Sequence, residues 1–365
     1  MFTVGGTISS LTCDAVARRT HAGRRETLTA AALFSLAGAC LLLVASSPLA
    51  LGTARLLQGF AAGIGIAQVP VFLRELAPPA VSGSIGVLNQ VAIVSGIFAA
   101  QCLGTLGPRG AWRHVPFSSS AVAAVQLLGA HLVSVPSSDA ERDALWQGYA
   151  AVPPAPDDEA QPARQAAAPS YRKGLSIILL TQVAQQLSGV NAILYYSTGI
   201  LATLMPGAAR YIGLLITVVN GVMTFPPLVL IDERRAGRKA LLVGSAAGMG
   251  MCCLVLAYSL ATSAVVLSAC AITATIACFS IGFGPVPFVI MPEVVPPESA
   301  AHAASLGLAA NWISNAAVAL AFQPVRTALA PLDGGTGGMV FVLFGVINLA
   351  SAALIAQRYT YIGTI

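Results

Sequence analysis

Ten stretches of about twenty mostly apolar residues recur along this chain, near 27–47, 54–73, 83–104, 114–134, 174–203, 211–231, 240–260, 265–290, 302–323 and 338–357. A helix needs about twenty such residues to cross roughly 30 Å of hydrocarbon. In that solvent every backbone N–H and C=O must be bonded inside a helix or a closed barrel. Barrel strands alternate apolar and polar residues over about ten positions, and these runs do not. The expected fold is all-α and polytopic, held in the lipid bilayer. Composition agrees: 9% charged residues in a 365-residue chain cannot coat a soluble domain, which carries about 25%. An eleventh segment, Phe2 to Val16, would reach only about 22 Å at 1.5 Å per residue, too short to cross unaided.

Direction follows from the basic residues. With the turn after the first segment placed in the cytoplasm, Arg18, Arg19, Arg24, Arg25, Arg74, Arg142, Arg164, Arg172, Lys173, Arg234, Arg235, Arg238, Lys239 and Arg358 fall on that side. Only Arg55, Arg109, Arg113, Arg210 and Arg326 fall on the other. Positive residues favour the cytoplasmic face, so the N-terminus is expected outside and the C-terminus inside. Residues 136–173, rich in Pro, Ala and acidic side chains (VPPAPDDEAQPARQAAAP), read as a low-order cytoplasmic linker. The expected organisation is a bundle over 1–135, the linker, and a second bundle over 174–365.

The chain also repeats itself. AGRRETL from Ala22 is echoed by AGRKALL from Ala236, and VPVFLRELAPP, with Glu75, by VPFVIMPEVVPP, with Glu293. The offsets hold steady: Gly23 to Gly237 is 214, Pro70 to Pro287 is 217, Glu75 to Glu293 is 218. The matched turns enter the membrane in the same direction, so the repeat is parallel, a plan that places a substrate site near the midplane between two halves. The first half lacks a counterpart to the span at 174–203. About eleven segments are present where two six-helix halves would have twelve, and the chain as written is expected not to transport unaided.

Polar side chains inside spans ask for partners. QVAQQLSGVNAILYYS sets Gln182, Gln185, Gln186 and Asn191 in one helix, with Gly189 where the helix could bend. At 3.6 residues per turn, Gln182, Gln186 and the Gly189 region share a stripe. Amides both donate and accept, so the stripe suits a neutral, hydroxyl-rich solute; interhelical bonding is the plainer alternative. Asn89, Gln90, Asn220, Asn311 and Asn315 extend the candidate lining, and Phe288 and Trp312 offer apolar faces for C–H groups. Glu75 and Glu293 are expected to pair with basic residues of the repeated turns, Arg24, Arg25 and Arg238 among them. Scattered histidines lack metal-ligand spacing, and the seven cysteines lie in apolar segments with no disulfide pattern. No catalytic set is evident, so neither enzyme activity, a cofactor nor a metal is expected. The basic residues sit in short clusters beside spans, which argues against nucleic acid as a partner.

The order of these features resembles the sugar porter (glucose-transporter-like) family of the major facilitator superfamily, from about Val4 to the last span, with a character similar to fungal members. Gln185, Gln186, Ser188, Gly189 and Asn191 followed by Tyr195, Tyr196 and Ser197 match its signature in full. RLLQG at Arg55, the Asn-Gln pair ending at Gln90, Asn220, GPVPF from Gly284 and NWISN from Asn311 support it. The resemblance implies a two-bundle transporter whose Gln90, Gln185, Gln186, Asn191 and Asn220 bind sugar hydroxyls, with Tyr195 and Tyr196 as the outer gate. It implies alternating access for a hexose or polyol in a plasma or vacuolar membrane, and leaves uniport and proton symport both open. A non-transporting sensor or shortened relative is the alternative. Departures concern gating: Ser82 and Ala300 stand where many members carry Arg, and Ser280 stands where glucose facilitators often have Glu. Each cytoplasmic cluster is thereby expected to have lost a partner.

Overall fold

The computed structural model describes residues 1–78, 81–106, 112–132, 170–194, 209–232 and 237–359. These form helices α1 (Phe2–Thr20), α2 (Arg24–Val44), α3 (Pro48–Leu76), α4 (Ser82–Leu106), α5 (His114–Leu132), α6 (Tyr171–Leu187), α7 (Ala209–Met223), α8 (Pro226–Leu230), α9 (Arg238–Ala261), α10 (Val265–Ile281), α11 (Val286–Ile290), α12 (Ala300–Leu329) and α13 (Met339–Arg358). Among the described residues there is no strand, and nine helical segments are long and apolar enough to cross a membrane. Most of the linker expected over 136–173 lies outside the described residues; its last part does not, because α6 begins at Tyr171. Helix α1 runs on past Val16 to Thr20. A helical backbone satisfies itself through the basic residues at a span's end as well as through the apolar ones, so hydropathy alone places such ends too far inward.

Local chemistry sets the ends and breaks. Ser47 caps α3 by accepting from the Ala50 N–H at 3.2 Å, with Pro48 at the first helical position. Pro70 inside α3 and Pro324 inside α12 each remove a helix donor. Among the described residues of the second half, helical backbone is interrupted within apolar spans at Ser188–Gly189 after α6, before Pro226 at the start of α8, and at Gly282–Pro285 between α10 and α11. Irregular backbone is tolerated there only where protein surrounds it.

The repeat reappears as packing. Helix α2 packs on α3 and α5, and α9 packs on α10 and α13. Helix α1 lies along α3, where a methyl group at Gly59 would overlap the Phe2 carbonyl. The halves meet where α1 and α3 touch α12 and where α4 touches α7, α8 and α11. The large buried core belongs almost wholly to the second half, around Met249, Leu256, Phe283, Phe322 and Phe341. Helix α6 runs through it, and 67% of its apolar stretch is buried against 22% for α4. The most enclosed of the described spans is therefore also the one that carries Gln182, Gln185 and Gln186.

Candidate functional site: a buried amide cluster and two arginine–glutamate clusters

The stripe on α6 meets α12 at one residue. Asn311 Nδ2 donates to Gln182 Oε1 at 2.8 Å and to Gln185 Oε1 at 2.7 Å, and its Oδ1 accepts from Gln186 Nε2 at 3.0 Å. Gln185 Nε2 reaches the broken segment between α10 and α11, donating to the Phe283 carbonyl and, at 3.2 Å, to that of Gly284. Gln182 Nε2 donates to the Pro287 carbonyl at 3.3 Å. Asn191, beyond the α6 break, donates to Gln186 Oε1 at 2.5 Å. Gln90 of α4 enters from the other half, its Nε2 3.1 Å from where a Gly284 Cβ would stand. All but the half-buried Asn191 are buried. The cluster presents donors and acceptors in one place without a net charge. A solute with several hydroxyls can exchange with each bond in turn.

Other expected lining residues sit elsewhere. Asn220 of α7 is buried but accepts from Ser280 Oγ of α10 at 2.7 Å, apart from the Asn311 hub. Trp312 faces α1: its ring makes an edge contact with Phe2 at 5.6 Å between centroids and covers Gly6. Phe288 is buried in the apolar core. The amide of Asn89 and the indole N–H of Trp312 are buried without a hydrogen-bond partner. Tyr195 and Tyr196 lie outside the described residues.

At the end that carries the basic turns, the two repeats build the same ion pair. Arg24, opening α2, grips Glu75, closing α3, at 2.5 and 3.1 Å. Arg238, opening α9, grips Glu293 at 2.6 and 2.8 Å. Bidentate arginine–carboxylate pairs hold geometry as well as charge. Arg25 is exposed one residue on from Arg24. Burial, and then the Glu293 carboxylate, push the Tyr359 phenol above its ordinary range.

Sequence reasoning missed the residues that finish these clusters. Gln68 accepts from Arg24 at 2.5 Å and donates to the Cys13 thiol at 3.3 Å. Asp232 receives Arg238 at 3.2 Å and, across the gap between halves, the Ser84 N–H and hydroxyl, both at 2.8 Å. Two residues on from Ser82, Ser84 thus bonds Asp232 of the second cluster across the halves. A serine near a span end, or an aspartate opening a charged run, carries no sequence signal for which partner it takes across the bundle.

Comparison with known proteins adds the kinship. The "Sugar (and other) transporter" family model matches residues 1–360. A "Probable metabolite transport protein" of Saccharomyces cerevisiae is 29% identical over 98% of this chain and 78% of its own length. Facilitated glucose transporter member 3 of solute carrier family 2 from Oryctolagus cuniculus is 31% identical over 96% of this chain and 75% of its own. Among solved structures, the proton:xylose symporter XylE bound to 6-bromo-6-deoxy-D-glucose superimposes with a TM-score of 0.78 at 20% identity, over 98% of this chain and 84% of that one.

Proposed function

We propose, from the premise that this chain belongs to the sugar (and other) transporter family, that it carries a hexose or a related polyol across a membrane by alternating access. The carrying observation is the Asn311 hub, with three α6 glutamines bonded to one α12 asparagine inside the most buried helix. Glucose transporters among its relatives support the sugar as substrate. Gln90, Gln185, Gln186, Asn191 and Asn311 would take the hydroxyls. Asn220, Phe288 and Trp312 would shape the surrounding walls, and Tyr195 and Tyr196 would close the outer side. A sensor role has no comparable support, since the family match runs across both halves. The described carboxylates Asp14, Glu26, Glu75, Asp232, Glu293, Glu298 and Asp333 all lie toward span ends, so the site itself suits an uncharged solute.

The two arginine–glutamate clusters and the Ser84–Asp232 bond would hold the cytoplasmic side closed while the site faces outward. Proteoliposomes loaded with the purified full-length protein decide the matter. Saturable uptake of labelled hexose, competed by polyols, is expected, and the same vesicles with an inward proton gradient report whether a proton travels with the sugar. Uptake no faster than in empty vesicles, with no hexose binding, would overturn the reading.

A further inference from the structure

Helix α6 stops at Leu187, and helical backbone resumes over 190–194. Such a break releases backbone groups that must find other partners. In an unbroken helix the Ser188 carbonyl would accept from the N–H of residue 192. Here it accepts from Asn348 Nδ2 of α13 at 3.0 Å. The Gln185 carbonyl is taken by the Ser188 hydroxyl at 2.6 Å. Gly189 has φ of +81°, a left-handed conformation that glycine adopts at little cost. The Phe344 ring, also on α13, stands 2.7 Å from where a Gly189 Cβ would be. Asn348 is fully buried, and its amide also donates to the Phe344 carbonyl at 2.8 Å. Both sides of the break are thus gripped by one turn of α13.

The break has a consequence for the amides. Residues five apart in a regular helix point about 140° away from one another, at 100° per residue. Asn191 and Gln186 are five apart, yet Asn191 Nδ2 lies 2.5 Å from Gln186 Oε1. Only the interruption between them allows this. We infer that Asn348 is a positioning residue for the solute site: by holding the Ser188 carbonyl it keeps α6 broken, and so keeps Asn191 beside Gln186. Nothing in the cluster touches Asn348 directly, so it acts through Asn191. The inference rests on the amide cluster being the sugar site.

A double-mutant cycle on the purified full-length protein tests it, with equilibrium binding of labelled D-glucose as the readout. Asn348→Leu should weaken binding tenfold or more in the native background and less than twofold in the Asn191→Ala background. Ser188→Ala, which frees the Gln185 carbonyl at the same break, should show the same non-additivity and serves if Asn348→Leu does not fold. Equal losses in both backgrounds would assign Asn348 a general packing role and overturn the inference; so would wild-type affinity in Asn348→Leu. If the native protein binds no glucose, the sugar reading is what has failed. Amide hydrogen exchange over 188–194 then decides alone: Asn348→Leu should alter protection there, and unchanged protection would sink the positioning role.

Discussion

Removing the Asp232 carboxylate should unlatch the two halves at the end that carries the basic turns. Asp232 accepts two bonds from Ser84 across the interface, each at 2.8 Å, and one from Arg238 at 3.2 Å. Its side chain is 23% exposed. Hydrogen bonds to charged groups contribute about 1.5–3 kcal/mol when buried, and exposed ion pairs about 0–1, so about 1 kcal/mol per crossing bond is a fair figure at this burial. The Ser84 hydroxyl shares its one proton with the Leu228 carbonyl, so the bonds to Asp232 favour the closed arrangement by about 1–2 kcal/mol, roughly five- to thirtyfold in population at 1.4 kcal/mol per decade. Arg238 keeps Glu293 in Asp232→Ala, so the second repeat's own ion pair survives and the effect is confined to the clasp. Spin labels at Ser82 and Lys239, one on each half, read the gap as a distance distribution. In Asp232→Ala a longer component should grow to dominate, and in Ser84→Ala, which keeps the backbone N–H but loses the hydroxyl's bonds to both Asp232 and the Leu228 carbonyl, it should grow as well. A distribution identical to the native one in Asp232→Ala would refute the clasp.

Further outcomes follow from the same geometry. Gln186→Ala and Asn191→Ala should each weaken hexose binding roughly ten- to a hundredfold, through lost and unsatisfied bonds of about 1–3 kcal/mol; unchanged affinity in both would leave those amides only a packing role. Gly189→Ala should abolish uptake, because alanine resists φ of +81° and its methyl would press on Phe344, and adding Phe344→Ala should restore part of it; full uptake by Gly189→Ala alone would mean the α6 break is dispensable. Placing arginine at both Ser82 and Ala300, with the first-half spin label moved to the exposed Thr20, should shift the label distances towards the closed arrangement, and no movement would show that these turns do not set the equilibrium.

The helices were legible because hydrocarbon leaves a chain few options: a run of apolar residues must bond its own backbone. The repeat was legible because its markers are polar. Arg24 with Glu75 and Arg238 with Glu293 stand out against the surrounding spans, and the two pairs do close in the same way. The amide stripe on α6 could be read from helical periodicity alone. What periodicity cannot supply is the partner across the bundle. It sets the rotation of Asn220 about its own axis, yet the fold hands that side chain to Ser280, and Trp312 goes to Phe2 and Gly6 of α1. Single polar residues were the hardest. Gln68 and Asn348 each sit alone among apolar neighbours, and the sequence around Ser84 and Asp232 does not show that these two meet across the halves.

A carrier must come back empty. Each delivery leaves the vacant site to cross the same barrier without cargo, and bare polar groups at that depth would make the empty crossing the slow one. The amides hold one another: Gln182, Gln185 and Gln186 all bond Asn311, and Asn191 bonds Gln186. On the proposed reading, an arriving sugar would trade bond for bond rather than add to an unmet demand, and the net gain from such exchanges is small. Weak, quickly reversible binding would be the result, which suits a carrier whose throughput depends on letting go.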